Sequence, residues 1–282
     1  MSKLSMLICS FLVVFSVYAS AEDANAPLKD KKAAKIAVLS MTSFKVLMGG
    51  DGFGGAKSLS DTAKAGDEKK EGDAKEEGDG GDFAAVNTAA LDNITKELSG
   101  FRDWKFASAA ADDANKEALA AFKNNLEAAL KQLSGGDSIN LNRWQTAPGL
   151  PYVPVQAALA MLNNDYKKAL AEAIAQYCKD AGVDGVWIQE MYPGYGTTGG
   201  SAFFSKLTMG SGQAVAKVIF IYGLYDSGGK LIFDESGEEH KSDDSFSMSF
   251  GIAKFDKDME KLLIQAVEIG AKSTAKRLNK KL

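Results

Sequence analysis

The sequence is poor in the residues that build most catalytic and metal sites. Its 282 residues include one histidine and two cysteines. Cys9 lies in an amino-terminal apolar run and lacks the small residue before it that lipidation requires, so Cys178 is the one cysteine expected in the folded protein. A disulfide within the chain is therefore not expected, and a zinc site would need more His or Cys ligands. We expect Cys178 to be a buried, unreactive side chain on a helix.

The chain also lacks an excess of positive charge. It has 33 Lys and Arg against 37 Asp and Glu, for a net charge of −4. A nucleic-acid-binding protein would carry a basic face, so this class is not expected. Beyond the amino-terminal run, no apolar segment approaches the ~20 residues that span a bilayer. Contact with a membrane is therefore expected to be peripheral at most.

The amino terminus has the layout of a secretory signal. Lys3 precedes an apolar run over residues 4–18, and residues 19–21 (Ala-Ser-Ala) follow the small-x-small pattern that a signal peptidase cleaves. These features predict a signal peptide over residues 1–21, cleaved near Ala21 and Glu22. We therefore expect an exported protein, periplasmic or secreted. An uncleaved anchor is the alternative.

The remaining chain reads as a linker over residues 22–32 and a single α+β domain over residues 33–282. A low-complexity insertion over residues 48–82 interrupts this domain. From Lys64 to Asp82 the chain is almost free of apolar residues and dense in charge. Burial there would not offset the entropy lost on ordering, so we expect an acidic, disordered and solvent-exposed insertion.

Apolar periodicity predicts the secondary structure on both sides of this insertion. Strands are expected near residues 33–41, 101–109, 185–191, 218–225 and 231–233. Amphipathic helices are expected from about residue 83 to 98, from Asp112 or Asp113 to 133, over 164–180, and from about residue 255 towards the end of the chain. Val218–Tyr225 is apolar on both faces, which predicts an interior strand. The expected fold is α+β, with a mixed or mainly antiparallel sheet packed against the helices.

A glycine run near residue 50 resembles a phosphate-binding loop only in form. Gly50, Gly52 and Gly55 satisfy G-x-G-x-x-G, but a polar tract follows where an apolar helix would be needed. We expect a flexible loop without a nucleotide. Asp51, Asp79 and Asp82 also lie near glycines, but without the alternating spacing of a calcium loop. Neither a cofactor nor a metal ion is expected.

His240 lies in the polar stretch SGEEHKSDD, which predicts a solvated loop. A Ser-His-Asp site would need the imidazole held by a carboxylate and shielded from water. The adjacent pairs Glu238-Glu239 and Asp243-Asp244 are likewise expected to be solvated. We therefore assign no catalytic residue and expect a protein that is not an enzyme. A secreted hydrolase acting on cell-wall or polysaccharide substrates is the alternative.

Residues 192–212 are rich in glycine and carry aromatic side chains. Exposed aromatic residues anchor protein interfaces. Tyr192, Tyr195, Phe203 and Phe204 are therefore the candidate interface. The alternative is that Phe203 and Phe204 fold back onto the core.

The order of elements resembles a group of bacterial envelope proteins. The strand KIAVLSM, the passage AIAQYCKDAGVDGVWIQEM and the hairpin VIFIYGLYDSGGKLIFDES before a long helix carry the resemblance. The group comprises the amino-terminal domain of the Tol-system protein TolB, the periplasmic domain of the curli secretion channel CsgG and the penicillin-binding-protein activator LpoB. Its counterparts here are the opening strand over residues 35–41, the Gly182-Val183-Asp184 step before a strand, and the hairpin turn at Gly228-Gly229.

This resemblance implies a bacterial envelope protein that works through protein contacts and has no catalytic residues. We therefore expect a non-catalytic accessory or scaffold protein whose partner is another envelope protein or a second copy. A subunit of a ring-forming envelope assembly is a further alternative. The chain differs from the group in three features, namely the acidic insertion, the proline-rich connection near residue 150 and the missing lipidation site.

Overall fold

Strands and helices alternate along the chain in the computed structural model, which describes residues 27–49, 82–133, 144–154, 164–197, 212–248 and 255–282. The strands in this described part are β1 (Ala33–Phe44), β2 (Met48–Gly49), β3 (Asp103–Ser108), β4 (Trp144–Thr146), β5 (Gly185–Thr197), β6 (Gly212–Asp226) and β7 (Leu231–Met248). The α-helices are α1 (Ala84–Leu98), α2 (Lys116–Leu133), α3 (Asn164–Ala181) and α4 (Lys257–Lys281). The expected α+β class is confirmed.

These strands form one mixed sheet in the order β3-β1-β5-β6-β7, with β2 added to β5 and β4 added to β1. β1 runs parallel to β3 and to β5, whereas β5, β6 and β7 are antiparallel. β6 has a partner on each side, so the prediction of an interior strand is confirmed. β1 lies between two parallel neighbours that the chain reaches through helical connections, which are the usual links between parallel strands.

Helices cover both faces of this sheet. On one face, α4 passes so close to β6 that a Cβ on Gly270 would lie 2.5 Å from Cε2 of Phe220. On the other face, α3 meets the hairpin between β6 and β7, where a Cβ on Gly229 would lie 2.0 Å from the carbonyl oxygen of Ala171. Buried apolar residues from both faces form one hydrophobic cluster. The predicted amphipathic helices therefore bury their apolar stripes against the sheet.

The turn of the β6–β7 hairpin is held by Asp226. Its Oδ1 accepts hydrogen bonds from the backbone N–H groups of Gly228 and Lys230, each at 2.9 Å. Gly229 has φ +76°, a conformation that glycine adopts without strain. The glycine turn predicted from the sequence is therefore present.

The segment before β1 is part of the folded body, so the prediction of a linker over residues 22–32 is wrong for its described portion. Leu28–Asp30 forms a 3₁₀ turn, and Leu28 is buried in the core. Arg102 Nη1 donates hydrogen bonds to the carbonyl oxygens of Lys29 at 2.6 Å and Lys31 at 3.3 Å. The backbone carbonyls of this segment are thus bound by a side chain that lies far along the chain.

Two other boundaries differ from expectation. Met48–Gly49 pairs with Gly194 and Tyr195 of β5, so the insertion begins later than residue 48. β7 extends to Met248, whereas alternation predicted a strand that ended at Phe233. Residues 1–26 and 50–81 lie outside the described residues, and with them the signal peptide, the glycine run and the interior of the insertion.

Candidate functional site

Two of the four candidate interface residues lie within the described structure, and one of them was predicted wrongly. Tyr192 belongs to β5 and is buried, at 4% exposure, instead of lying on an exposed loop. Tyr195, on the same strand, is half-buried, with its ring centroid 6.5 Å from that of Phe246 on β7. Phe203 and Phe204 lie outside the described residues.

Tyr192 points into a buried cluster of tyrosines around Glu190. The hydroxyl of Tyr192 lies 3.3 Å from Oε2 of Glu190, and the hydroxyl of Tyr152 lies 3.5 Å from Oε1. Glu190 itself has no exposed surface. The hydroxyl of Tyr166, from α3, donates to the carbonyl oxygen of Pro154 at 3.3 Å. Sequence reasoning missed this cluster because its members come from three separate segments.

This Glu190 cluster lies towards the carboxyl ends of the parallel strands β1 and β5, the edge where open α/β sheets bind ligands. Here the proline-rich segment over residues 150–154 lies against that edge. The hydroxyl of Ser40 on β1 donates to the carbonyl oxygen of Pro151 at 2.8 Å and accepts from the backbone N–H of Val153 at 3.3 Å. The polar side chains of this edge therefore hold the proline-rich segment in place.

Burial limits the acid–base chemistry that the tyrosines around Glu190 can perform. Desolvation, followed by the nearby Glu190 carboxyl group, raises the pKa of Tyr152, Tyr166 and Tyr192 above the ordinary tyrosine value. These phenols stay protonated at physiological pH and act as hydrogen-bond donors, not as bases or nucleophiles. The arrangement therefore supports a structural role better than proton transfer.

His240 was also predicted wrongly. It lies on β7, not in a solvated loop, and is 5% exposed, with its ring 4.9 Å from that of Phe220. Its Nε2 lies 3.5 Å from Oε2 of Glu238. The polar sequence around His240 predicted a loop, but this segment is a strand whose inward side chains are covered by α4.

A bulge in β7 determines which acidic residues accompany His240. Phe220 pairs with Glu238 and the next residue, Ile221, pairs with Ser236, so Gly237 is the extra residue. Gly237 has φ +84°, as the first residue of a glycine bulge does. Without the bulge, Glu235 and Glu238 would point to opposite faces of the sheet, because strand side chains alternate. With it, both point towards α4.

On α4, Arg277 bridges these two glutamates. Its Nη1 lies 2.8 Å from Oε2 of Glu235, and its Nη2 lies 2.8 Å from Oε1 of Glu238. The hydroxyl of Ser273 donates to Oε1 of Glu238 at 2.9 Å. We call Glu235, Glu238, His240, Ser273 and Arg277 the Arg277 cluster. Its serine is bonded to the carboxylate and not to the imidazole, which differs from the serine–histidine–acid order of a hydrolase.

The Arg277 cluster lowers the pKa of His240 and Glu235, and its carboxylates outweigh burial and raise the pKa of Arg277. Burial lowers the pKa of His240, and of the neighbouring charges Arg277 lowers it further while Glu238 and Glu239 oppose this. Burial raises the pKa of Glu235, but the hydrogen bond and charge of Arg277, with Lys281, outweigh burial and leave the pKa below its ordinary value. The folded protein therefore favours neutral His240 beside ionised Glu235.

The remaining candidates for reactive chemistry are few. Cys178 is buried on α3, as predicted, and burial followed by the charges of Asp226 and Asp184 raises its pKa to about 12. Within the described ranges, no group of three or more His, Cys, Asp or Glu side chains is placed to hold a metal ion. Among the helices of the same ranges, none is both long and apolar enough to cross a bilayer.

The tip of the antiparallel strands contains Tyr195, one residue of the predicted interface. β5 and β6 pair from Gly185↔Asp226 to Thr197↔Ala214, whereas β1 pairs with β5 only as far as Met191. The strands therefore continue past β1. Lys217 packs its side chain over Gly196 at this end and lies 3.3 Å from Oε1 of Glu239. We call residues 194–197, 214–217 and 241–246 the strand tip.

The sequence matches no protein-family model, and it matches no curated protein. The function proposed below therefore depends on the chain's own residues.

Proposed function

We propose that this chain is an exported, non-catalytic accessory or scaffold protein of the bacterial cell envelope. It acts through protein contacts at the strand tip and at the aromatic residues that connect β5 to β6. Its partner is another envelope protein or a second copy of the chain. The amino-terminal sequence supports export, and the resemblance of the element order to that of envelope proteins supports the class.

The observation that carries the proposal is the length of the β5–β6 ladder. It ends at Thr197↔Ala214, beyond the last pairing of β5 with β1. Residues 198–211 begin and end at this tip, and their sequence includes Phe203 and Phe204. Among the described residues, the large apolar side chains that are exposed are Val46 and Leu231. The remaining described surface therefore offers little apolar area for a protein interface.

The geometry of the two polar clusters supports a role without catalysis. The tyrosines around Glu190 are held protonated, and the serine of the Arg277 cluster is bonded to a carboxylate. Both clusters connect separate segments of the fold.

The test is affinity capture from the native envelope with the full chain carrying Phe203→Ser and Phe204→Ser together. We expect the captured partner to be lost while thermal unfolding is unchanged. Leu231→Ser is the matched control, because Leu231 is an exposed apolar residue, at 40% exposure, at the opposite end of β6 and β7. It should retain the partner.

Capture that is unaffected by the phenylalanine substitutions, with the protein folded, would refute this interface. The mass of the wild-type protein in solution tests the ring-forming alternative, for which a closed oligomer is expected. Deleting residues 194–197 is not a suitable variant, since these residues pair with β6.

A further inference from the structure

The carboxyl-terminal half of α4 is held by buried side chains such as Ala271 and Leu278 and, at the edge of the sheet, by charged groups. Arg277 bridges Glu235 and Glu238, and Nζ of Lys281 lies 3.4 Å from Oε2 of Glu235. All of these acidic partners belong to β7, which is the last strand in the sheet order. The charged part of the attachment therefore depends on carboxylates of a single edge strand.

Close packing surrounds this attachment. Gly270 lies against both Phe220 and His240, since a Cβ there would be 2.7 Å from Cδ2 of His240. The side chain of Glu238 is 14% exposed and that of His240 is 4% exposed. An imidazole enclosed in this way has no room for a hydration shell if it gains a proton.

We propose that the carboxyl-terminal half of α4 is an acid-released latch on β7, which is closed while His240 is neutral and Glu235 is ionised. Protonation of His240 places a positive charge on the enclosed imidazole beside Arg277, and protonation of Glu235, at lower pH, removes its ion pair with Arg277. The helix end then separates from the strand while the rest of the fold remains intact. The latch is separate from the interface at the strand tip and does not require it.

The charged groups around His240 determine the direction of the switch. Glu238 and Glu239 lie on its own strand, and Arg277 faces it from α4. Glu239 is itself bound by Lys217 at 3.3 Å and Lys241 at 3.2 Å. From β6 the neighbours are Val218, which pairs with His240 across the strands, and Phe220, and neither side chain titrates. Arg277 therefore opposes a second positive charge at His240.

The dependence of release on pH has the same sign for His240 and for Glu235. The closed state lowers the pKa of His240, mainly through burial, so the open state binds a proton more readily below the ordinary histidine value of 6.5. The closed state also lowers the pKa of Glu235, since the bonds to Arg277 outweigh burial. In each case the open state takes up protons first, and acid therefore favours release.

Release would uncover aromatic rings on the sheet. Nζ of Lys281 lies 5.4 Å from the ring centroid of Phe233, which stacks on Tyr222 at 5.7 Å. Tyr222 in turn stacks on Trp187 at 4.7 Å. The fluorescence of the tryptophans and the exchange of nearby amides should therefore report the open state.

Hydrogen exchange of the full chain, read by mass spectrometry at pH 7.5 and pH 5.0 and corrected for intrinsic rates, tests the latch. We expect peptides from 270–282 and 233–240 to lose protection at pH 5.0. The loss should be about tenfold for each unit by which the pKa of His240 differs between the closed and the open state. Peptides from α3 should keep theirs. In His240→Gln, whose side chain does not titrate, the difference between the two pH values should shrink at least about threefold.

Glu268→Gln is the matched control. It breaks an exposed ion pair on the same helix, between Glu268 and Lys272 at 2.7 Å, and should leave the pH difference unchanged. Equal protection of 270–282 at both pH values in the wild-type protein would overturn the proposal, whether or not His240→Gln folds. Loss of protection in α3 and α4 together would also overturn it, because that result means global unfolding.

Discussion

The ammonium group of Lys31 lies 2.6 Å from Oδ1 of Asp184, and Oδ2 of the same aspartate accepts the backbone N–H of Lys35 at 2.8 Å. One carboxylate thus joins the segment before β1 to the turn before β5. Asp184 is the last residue of the Gly-x-Asp step that precedes β5. Its contacts give that step a structural role at the start of two parallel strands.

We predict that this pair is coupled energetically. Lys31 and Asp184 have side-chain exposures of 8% and 30%, so water screens the pair incompletely. A double-mutant cycle with Lys31→Met and Asp184→Asn, followed by urea unfolding, should give a coupling free energy of about 1–2 kcal/mol. A coupling near zero would show that the contact contributes nothing to the stability of the fold.

Gly270→Ala should destabilise the protein, although alanine is the better helix former. Alanine gains about 1 kcal/mol over glycine in an open helix. Here its methyl group would lie 2.5 Å from Phe220, which forces α4 away from the sheet. Overpacking costs about 1–3 kcal/mol, which offsets or exceeds this gain, so we expect a net loss of up to about 2 kcal/mol in urea unfolding. The control is Lys276→Ala, at an exposed site on the same helix, which should leave the free energy of unfolding unchanged. A Gly270→Ala protein more stable than the wild type would contradict the close packing of α4 on Phe220.

Gly237 should tolerate asparagine better than alanine. Space is available at this position, since a Cβ added there would have no neighbouring atom within 4 Å, but φ is +84°. A left-handed conformation costs an ordinary residue about 1–2 kcal/mol, and asparagine less. Denaturant unfolding of Gly237→Ala and Gly237→Asn should therefore show the larger loss for alanine. Equal stability of the two variants would mean that the bulge does not need a left-handed residue.

The hydroxyl of Tyr152 should contribute to stability through Glu190. Tyr152→Phe removes a hydrogen-bond donor from a buried carboxyl group, and we expect a loss of about 1 kcal/mol in thermal or urea unfolding. Tyr177→Phe is the control, because the buried hydroxyl of Tyr177 has no hydrogen-bond partner within the described structure. That substitution should be neutral or stabilising. The reverse order of effects would exclude the proposed role of the Glu190 cluster.

Global stability should fall as the pH drops below about 6.5, the ordinary pKa of histidine, because burial lowers the pKa of folded His240 and the unfolded chain binds the proton first. Urea unfolding between pH 7.5 and pH 5.5 measures this slope, and His240→Gln should reduce it. A slope that is the same in both proteins would show that His240 does not titrate differently on folding. His240→Gln is preferable to His240→Ala because it leaves a smaller cavity beside Phe220.

Much of the secondary structure could be predicted because it depends on local pattern. The apolar stripes predicted α1–α4 to within a few residues, and the two apolar faces of Val218–Tyr225 predicted an interior strand. The strand β7 could not be predicted in full. Its polar residues Glu235, Glu238 and His240 face a helix that begins at Lys257, and alternation within the strand carries no information about that cover.

The amino-acid order alone was enough to establish the scarcity of reactive side chains, the amphipathic helices and the glycine turn of the hairpin, because composition, periodicity and φ preference are properties of neighbouring residues. Packing in three dimensions was needed to establish that Tyr192 points to Glu190, that His240 is enclosed, and that Arg277 joins two glutamates. Each of these depends on segments far apart in the chain. One bulged residue, Gly237, changes which side chains meet, and no local pattern specifies their partner on α4.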